Sequence, residues 1–577
     1  MGRSTQVNTT GHAQTQCNQT YTKHVLEFTF VEHERGKPPD CLLTQPRRYT
    51  ISMRLGIDFG TNRIVVAAAD RGNYPLVSFE APDGTSPDWV PSLIALRGDE
   101  RLYGWSAWDA QVDDSWTIVR SIKRLLEDAG PQTLLDVGDQ RVPLTSLLNG
   151  LTAALFSTLH SQSNLGIKPG EPLQIVLGVP AHANSNQRFL TVEAFRAAGF
   201  QVLGVLNEPS AASIEFGHRQ RQSKTSRETI LVYDLGGGTF DASLVTLDEN
   251  IHHVLASEGI PTVGGDDFDE ILAELALEKA GIDLENRDRL PAAAWFRLLE
   301  ECRTKKESLH PNTRRLVIDF ENVNPAWGSV QVQASDFYEF ARPLVEETII
   351  AAEDLLTRHE NLAFEALYIT GGGSELPLVA RVLRERFGRR VRRSAYARSA
   401  TAIGLAIQAD QPETYRLSER LARYFGVWRE GDSGHRIIFD PLFEKGMPLP
   451  PPGDGTLTIA RSYSPVHNVG HFRFLECSHR TNSGAPSGEI AFWDEIRFPF
   501  DPALETIPDL GSVAVEHSGS AAKQHIQETY ECDSGGAITV TIANKSAGYD
   551  RRFQLGRWSQ DIKTVKPSVR RKKSTTA

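Results

Sequence analysis

The chain has 577 residues, 40% of them hydrophobic, and a formal net charge of −11. This composition is typical of globular proteins, and the acidic balance argues against nucleic acid as the main partner. The five cysteines form no Cys-x-x-Cys pair, and no stretch of about 18 uncharged apolar residues exists. We therefore expect a cytoplasmic protein of several domains without a disulfide framework or a membrane span.

Residues 1–52 differ in character from the rest of the chain. They are polar, show no sustained apolar periodicity, and lack the apolar core of a signal peptide. Met53 stands immediately before the first apolar strand pattern. We expect residues 1–52 to be a disordered leader or the result of a wrongly assigned translation start.

The first predicted hairpin begins with Arg54-Leu-Gly-Ile-Asp-Phe-Gly-Thr-Asn62. An apolar strand ends at Asp58, a glycine turn carrying Thr61 comes next, and residues 64–69 continue as a second apolar strand. A single Asp-x-Gly-Thr usually marks only a turn. Its significance depends on a second copy elsewhere in the chain.

That second copy is Leu231-Val-Tyr-Asp-Leu-Gly-Gly-Gly-Thr-Phe-Asp241, about 180 residues later. Three consecutive glycines bury nothing, but they let backbone amides approach an anion closely. Asp234 and Asp241 flank the turn and would repel a phosphate unless a cation lay between them. The two hairpins together predict a duplicated architecture with a magnesium-phosphate site.

Three further segments have a related pattern. They are Ile175-Val-Leu-Gly-Val-Pro-Ala181, Val205-Leu-Asn-Glu-Pro-Ser-Ala-Ala212 and Ala366-Leu-Tyr-Ile-Thr-Gly-Gly-Gly-Ser374. The last is a buried strand that opens into glycines before an amphipathic helix. No Gly-x-x-x-x-Gly-Lys-Ser/Thr occurs, and the triple-glycine loop does not match Gly-x-Gly-x-x-Gly. A Walker-type loop and a dinucleotide fold are therefore disfavoured.

The order and spacing of these five segments resemble the nucleotide-binding domain of the Hsp70 (DnaK-like) chaperones, within the actin/sugar-kinase/Hsp70 superfamily. The resemblance covers about Met53 to Asp410. It implies an α/β fold: an actin-like, two-lobed ATPase domain of duplicated ribonuclease-H-like folds, over residues 53–409. It also implies ATP or ADP and Mg²⁺ as cofactors.

The resemblance implies a role for each matching residue. Asp58 and Asp234 would hold Mg²⁺ through water, and Glu208 and Asp241 would lie near the attacking water. The hydroxyls of Thr61 and Thr239 would face the phosphates. The catalytic set is then Asp58, Glu208, Asp234, Thr239 and Asp241. The nucleotide-binding set is Gly60, Thr61, Asn62, Gly236, Gly237 and Gly238 (as backbone donors), Gly264, Gly265, Lys306 (at the ribose), Gly371, Gly372 and Gly373.

One departure from the family concerns a lysine expected about fifteen residues before the motif Ile122-Lys-Arg-Leu125. The aligned position falls near Trp108, and residues 104–118 contain no lysine or arginine. Without a replacement cation, hydrolysis should be slower by orders of magnitude. Arg63, which comes after Thr61 and Asn62, is expected either to compensate in part on the phosphate side or to be an ordinary solvated arginine.

A second departure concerns the adenine pocket. The two stacking arginines of the family align with Glu307 and Glu375, a neighbouring acid aligns with Arg303, and an aspartate near the base aligns with Arg398. A guanidinium stacks on an aromatic face, and a carboxylate does not. We therefore expect nucleotide binding that is weaker, or less selective for adenine, than in a typical member.

The C-terminal half shows a different pattern. A polar linker over residues 410–423 lacks the family's leucine run, and short alternating strands over 424–558 predict a β-sandwich that resembles the Hsp70 peptide-binding β-domain. A basic tail, residues 559–577, is expected to be disordered and is too short for the family's helical lid. Any bound peptide should then exchange quickly.

The sequence therefore predicts an Hsp70-like ATP-binding chaperone in which hydrolysis or exchange of Mg-ATP is coupled to polypeptide binding. Its expected partners are unfolded or extended polypeptide segments and co-chaperones, with neither membrane nor nucleic acid. Two alternatives stay open. One is a nucleotide-binding pseudo-ATPase scaffold without turnover, and the other is a small-molecule kinase of the same superfamily.

Overall fold

The computed structural model describes residues 52–127, 129–130, 132–138, 140–220, 227–282, 290–431, 436–450, 455–555 and 564–565. The predicted leader, apart from residue 52, and nearly all of the predicted basic tail lie outside these ranges. Residues 51–577 group into one compact unit, to which every element below belongs.

The first lobe is built on a five-stranded sheet in the order β10-β9-β1-β2-β3. Strand β1 runs parallel to β9 and antiparallel to β2, which forms the first predicted hairpin. The elements of this lobe are β1 Met53–Phe59, β2 Arg63–Ala68, β3 Val90–Pro91, β4 Ile94–Arg97, β5 Glu100–Tyr103, α1 Trp105–Ala110, β6 Thr117–Val119, α2 Ile122–Leu125, β7 Leu134–Val137, β8 Gln140–Pro143, α3 Leu144–Ser161, β9 Leu173–Val179, α4 Ser185–Ala197, β10 Gln201–Asn207 and α5 Glu208–Gln220.

The second lobe repeats this plan around a sheet in the order β17-β16-β11-β12-β13-β18. Strand β11 runs parallel to β16 and antiparallel to β12, which forms the second predicted hairpin. Its elements are β11 Glu228–Leu235, β12 Phe240–Asp248, β13 Ile251–Ile260, α6 Gly265–Lys279, α7 Ala292–Glu307, β14 Arg315–Asp319, β15 Ser329–Gln333, α8 Ala334–Thr357, β16 Ala366–Thr370, α9 Pro377–Phe387, β17 Val391–Arg393 and α10 Ala400–Asp410. The shared strand order confirms the predicted duplication.

Helices α5 and α10 pack against each other and contribute to one buried cluster with residues of both sheets. Close backbone contact is possible because glycines lie where the elements meet. A Cβ on Gly56 would lie 2.3 Å from the carbonyl oxygen of Ala402, and one on Gly404 would lie 1.8 Å from that of Ala211. Both hairpin turns are therefore carried by elements that share one apolar core.

The C-terminal strands form two four-stranded sheets, in the orders β20-β19-β22-β23 and β21-β24-β25-β26. Inward-facing aromatic and aliphatic side chains of both sheets fill one core, as the predicted alternation requires. This is the predicted β-sandwich. Its strands are β19 Tyr424–Gly431, β20 Arg436–Phe443, β21 Leu457–Tyr463, β22 Val469–Arg480, β23 Pro486–Pro499, β24 Ile526–Cys532, β25 Ile538–Asn544 and β26 Tyr549–Gln554; a final short strand, β27 Thr564–Val565, pairs with β7.

The predicted linker contributes one strand to the second lobe. Strand β18, Arg416–Ser418, pairs in parallel with Ile251–His253 at the start of β13. The segment that joins the two domains is thus an edge strand of the second lobe's sheet. Among the helices that the structure describes, none is long and apolar enough to cross a membrane.

Candidate functional site

A cleft of about 230 Å³ brings most of the predicted residues together. Its walls come from both hairpin turns, from the start of α5, from α7 and from the turn after β16. The predicted residues that line it are Asp58, Gly60, Thr61, Asn62, Glu208, Asp234, Gly236, Gly237, Thr239, Gly265, Lys306, Gly371, Gly372 and Gly373. Gly238, Asp241 and Gly264 are not among the lining residues.

The triple-glycine turn is closed by its own backbone. The amide of Gly236 donates to the carbonyl oxygen of Thr239 at 2.9 Å, and the amide of Gly265 donates to that of Gly236 at 3.0 Å. The amide of Gly236, which the resemblance placed among the backbone donors to phosphate, therefore already has a hydrogen-bond partner within the turn. Gly237 lines the cleft beside it.

Gly238 packs against the first lobe, and Gly264 packs against the triple-glycine turn of its own lobe. The carbonyl oxygen of Gly238 accepts a hydrogen bond of 2.6 Å from Nε of Arg124. A Cβ on Gly238 would lie 2.6 Å from Oγ1 of Thr61, and one on Gly264 would lie 2.7 Å from the carbonyl oxygen of Gly237. Close packing, and not contact with the cleft, requires glycine at these positions.

Gly371 opens the glycine run after β16 with φ of +83°. A Cβ here would lie 2.4 Å from Oδ1 of Asp234 and 2.3 Å from the carbonyl oxygen of Leu235. The left-handed backbone and the lack of space both demand glycine. The turn therefore packs directly against the carboxylate that ends β11.

Three carboxyl groups lie close together on the phosphate side, which is the side of the cleft where the resemblance places the phosphates. Glu208 and Asp234 are buried, and Asp58 is half-buried. Burial raises the pKa of Asp58, and burial together with Glu208 and Asp58 raises the pKa of Asp234 well above its usual value. Burial also raises the pKa of Glu208, and nearby carboxylates add to that shift. Negative charge is thus concentrated where little water reaches, which a cation would relieve.

The donor set of this side is made of oxygens, which suits Mg²⁺. Among the described residues, no three histidine, cysteine, aspartate or glutamate side chains converge closely enough to hold a metal directly. Mg²⁺ that keeps most of its water shell needs only one or two nearby carboxylates. The half-buried Asp58 and the buried Asp234 therefore fit such an ion.

Asp241 lies directly opposite Asp234 in the β11–β12 ladder. It is 2% exposed, and its Oδ1 accepts hydrogen bonds from the amide of Ala181 at 2.8 Å and from Nδ1 of His182 at 3.0 Å. The carboxylate therefore fixes the turn after β9. Its observed partners indicate a positioning role, whereas the sequence placed it near the attacking water.

The structure corrects the expectation that the site lacks a lysine. Lys123, in the motif at 122–125, lines the cleft and is 4% exposed. Its Nζ contacts Oε1 of Glu208. Burial alone would lower the pKa of Lys123, but Glu208 and Asp58 outweigh that effect and raise it. A permanent positive charge thus stands among the three carboxyl groups.

The neighbours of Lys123 connect the two lobes. Arg120 pairs with Asp266 at 2.7 Å, and Arg124 pairs with Asp267 at 2.5 Å. Both acids begin α6, where carboxylates also favour the helix dipole. The segment that carries Lys123 is therefore clamped to the opposite lobe on both sides.

The base side is the part of the cleft where the resemblance places the nucleotide base. Four charged residues form a chain of ion pairs there. Arg63 pairs with Glu307 through two bonds of 2.9 and 3.0 Å, and Arg398 reaches Glu307 at 2.9 Å and Glu375 at 2.5 Å. The guanidinium of Arg63 also stacks on Trp89, 4.7 Å from the ring centroid. Arg63 was expected to be either a cation on the phosphate side or an ordinary solvated arginine. It is neither, because its guanidinium is paired with Glu307 and stacked on Trp89.

The opposite charges in these ion pairs neutralise one another. Burial alone would raise the pKa of Glu307, but Arg63 and Arg398 outweigh it and lower the pKa to about 2. Lys306 is also occupied, because its Nζ donates to the carbonyl oxygen of Gly265 at 2.5 Å and pairs with Asp269 at 2.7 Å. The guanidinium of Arg303 lies 5.5 Å from the Trp108 ring centroid. The base side is thus a pre-formed ionic surface.

Comparison with known proteins agrees with this geometry. The family model described as Hsp70 protein matches residues 151–414. The chaperone protein HscA of Yersinia enterocolitica is 28% identical over 527 residues, which cover 87% of this chain and 77% of that protein. HscA of Escherichia coli O6:H1 is 28% identical over 528 residues, with the same coverage.

Over most of its length the chain is similar to chaperones of the Hsp70 family. The actin-like lobes and the β-sandwich are the domains that this family combines, in the observed order. Sequence reasoning missed Lys123 because it sought the lysine at a fixed offset from the motif that contains it. The signal that could have found it is the motif itself, in which Lys123 directly follows the apolar Ile122.

Proposed function

We propose that this Hsp70-like protein is an ATP-dependent chaperone in which Mg-ATP binding and turnover in the cleft control polypeptide binding by the β-sandwich. The observation that carries the proposal is the position of Lys123, buried against Glu208 beside Asp58 and Asp234. Phosphoryl transfer needs charge neutralisation and positioning, and this cluster supplies both.

Each residue has a distinct task in this proposal. Lys123 holds a positive charge against the phosphate side, and Glu208 keeps it in place. Asp58 and Asp234 would hold Mg²⁺ through water, and the ion would neutralise phosphate charge and orient the phosphates. Thr61 and Thr239, which line the cleft from opposite lobes, would orient oxygens through their hydroxyls.

The base side supports a nucleotide preference that differs from that of a typical member. Glu307 and Glu375 stand where stacking arginines were expected, and both are engaged by Arg398. A purine entering here meets paired charges and the stacked pair of Arg63 and Trp89. We therefore propose weaker or less adenine-selective binding, with affinity supplied mainly by the phosphates.

Contacts between the two domains support coupling of nucleotide state to polypeptide binding. The linker strand β18 extends the sheet that carries the triple-glycine turn. Oγ of Ser185 donates to Glu476 of the sandwich at 2.9 Å, and Lys445 of the sandwich pairs with Glu258 at 3.2 Å. A change in lobe angle would strain these contacts and bias the sandwich between two arrangements.

The proposal is tested by steady-state phosphate release with Mg-ATP, with and without an unfolded polypeptide. We expect turnover in the wild-type protein and its loss in Asp234→Asn, with thermal unfolding as the control for folding. Nucleotide binding without turnover in the wild-type protein would support the scaffold alternative. ADP formation that depends on a metabolite would support the kinase alternative. Failure to bind adenine nucleotides at millimolar concentration would refute all three.

A further inference from the structure

A second cavity, of about 660 Å³, lies between the nucleotide-side lobes and the β-sandwich. We call it the interdomain groove. One wall is strand β10 with helix α4, and the other is the sandwich segment 533–538 with Trp493 and Leu555. Its volume is within the usual range of ligand-binding clefts.

Strand β10 is an edge strand. In the described part of the chain it pairs only with β9. Leu203, at its middle, is 50% exposed, and a Cβ on Gly204 would meet no atom within 4 Å. An edge strand with an exposed apolar side chain and free space beside it is a template for another strand.

The facing wall leaves similar room. Gly536, in the turn between β24 and β25, has φ of +81°, and a Cβ on it would also meet no atom within 4 Å. The groove has free space beside the backbone of Gly536 on one wall and an edge strand on the other, so an extended chain fits its shape. Strand β10 has seven residues and spans about 23 Å, with a bulge at Leu203 in its ladder with β9.

The charge of the groove restricts its occupant. Three arginines and three acidic residues line it, so their formal charges cancel. These side chains already have partners within the protein, as in the Arg196–Glu193 pair at 3.0 Å and the hydrogen bond of 2.6 Å from Asn207 to Glu419. An occupant gains nothing by carrying charge here, so an uncharged segment fits best.

Two lining residues have an unmet hydrogen-bonding group. Gln408 is 9% exposed, and its Oε1 has no partner in the described part of the chain. Trp493 is 4% exposed, and its Nε1 likewise has none there. An unmet buried acceptor and an unmet buried donor are costly, and a peptide group offers the complement to each.

We propose that the interdomain groove is a second polypeptide-binding site, which takes an extended, uncharged, apolar-rich segment as an added strand beside Gln201–Asn207. Backbone hydrogen bonds to β10 provide affinity, and Leu203 packs against alternate side chains of the segment. The inference rests on the proposed polypeptide binding but assigns it a site outside the β-sandwich core.

The test uses a fluorescein-labelled peptide, Thr-Leu-Thr-Val-Thr-Leu-Thr, titrated with the full chain and followed by fluorescence anisotropy. Leu203→Arg places a charge in the groove, and Gly204→Trp fills it. We expect each to weaken binding at least tenfold. The matched control is Val317→Arg, because Val317 is 47% exposed on a strand of the other lobe, far from the groove lining. It should bind as the wild type does.

Hydrogen exchange locates the bound peptide independently of the variants. Amides of residues 201–206 should exchange more slowly when the peptide is added. Unchanged affinity in both groove variants, with protection confined to the sandwich, would overturn this site and leave the proposed function standing. No binding of the peptide to the wild-type protein would overturn this site and the polypeptide half of the proposed function together.

Discussion

The phosphate side and the base side of the cleft both contain buried charge, but the charges are balanced differently. On the phosphate side, Asp58, Glu208 and Asp234 share one lysine, and their carboxyl pKa values are raised. On the base side, Glu307 contacts two arginines and its pKa is lowered. The phosphate side keeps an excess of negative charge that a bound cation would balance. On the base side, the charges of the arginines and the glutamates already balance one another.

This difference separates two roles within one pocket. A site with excess negative charge is suited to an ion and a polyphosphate, because ligand binding relieves repulsion. A site with paired charges gains little from a ligand, because existing pairs would have to break. Substitutions on the phosphate side should therefore affect turnover, and those on the base side should affect selectivity.

The largest effect is expected from Lys123→Ala. Removing the one cation among three carboxyl groups should lower the single-turnover rate of ATP hydrolysis by about 100-fold to 1000-fold. The loss also leaves Glu208 buried without its partner, so folding has to be checked by thermal unfolding.

The double variant Lys123→Met, Glu208→Gln is the matched control, because it removes both charges of the pair. It should regain stability relative to Lys123→Ala without regaining turnover. A Lys123→Ala protein that hydrolyses ATP within threefold of the wild-type rate would show that the phosphate side does not depend on this cation.

The second-largest effect is expected from Gly371→Ala, because Gly371 packs against Asp234 of the phosphate side. The added Cβ would collide with Asp234 and Leu235, and φ of +83° adds strain. We expect a loss of at least about 2 kcal/mol in the free energy of unfolding, measured by urea titration, and weaker Mg-ATP binding.

Gly388→Ala provides the comparison, since φ there is +59° and a Cβ would meet no atom within 4 Å. It carries the backbone strain without the collision, so it should cost more than about 1 kcal/mol but less than Gly371→Ala. Equal losses in the two variants would mean that close packing at Gly371 contributes nothing.

A smaller effect is expected when the base side is rebuilt. The triple variant Glu307→Arg, Glu375→Arg, Arg398→Asp restores the charges that the family pattern predicts. Two guanidiniums available for stacking should raise the preference for ATP over GTP by about tenfold in calorimetric titration. Turnover at saturating ATP should stay unchanged.

The control for the triple variant reverses the charges of an ion pair that lies outside the cleft. Arg342 and Glu385 form such a pair at 3.3 Å on the surface of the second lobe. Arg342→Asp, Glu385→Arg should leave both nucleotide affinities as they are. An equal shift in this variant and in the triple variant would refute a local role for the base side.

The smallest effect concerns pH. The pKa of Glu307 is lowered to about 2 from its usual 4.5, so its ion pairs contribute stability above about pH 4.5 that is lost as the pH falls toward 2. Glu307→Gln should therefore destabilise the protein by about 1 kcal/mol or less at pH 7. Urea titrations at pH 7 and pH 3 should show the difference shrinking, and a pH-independent difference would contradict the assignment.

Much of the site could be read from local patterns. Asp58, Thr61, Asp234 and the triple glycine belong to strand-turn-strand signals whose chemistry is local. The structure places all of them except Gly238 on one cleft. The β-sandwich was likewise visible in short alternating strands. The departures at Glu307 and Arg398 were visible as residue types, but the pairing of Glu307 with both Arg63 and Arg398 was not.

The partners were decided by tertiary structure. Lys123 and Glu208 are 85 residues apart in the chain, and Arg63 and Glu307 are 244 apart. No local pattern encodes which of several charges will meet across a cleft, because that depends on how two lobes pack. The same holds for Asp241, whose carboxylate faces the turn after β9.

The sequence by itself determined the hairpins, the glycine turns and the family resemblance, because these depend on residue propensities and on spacing within short segments. Only the tertiary structure decided which charges are paired and which are left in excess. Coulomb interactions depend on distance and burial, and neither is defined until the lobes, the linker strand and the sandwich have packed together.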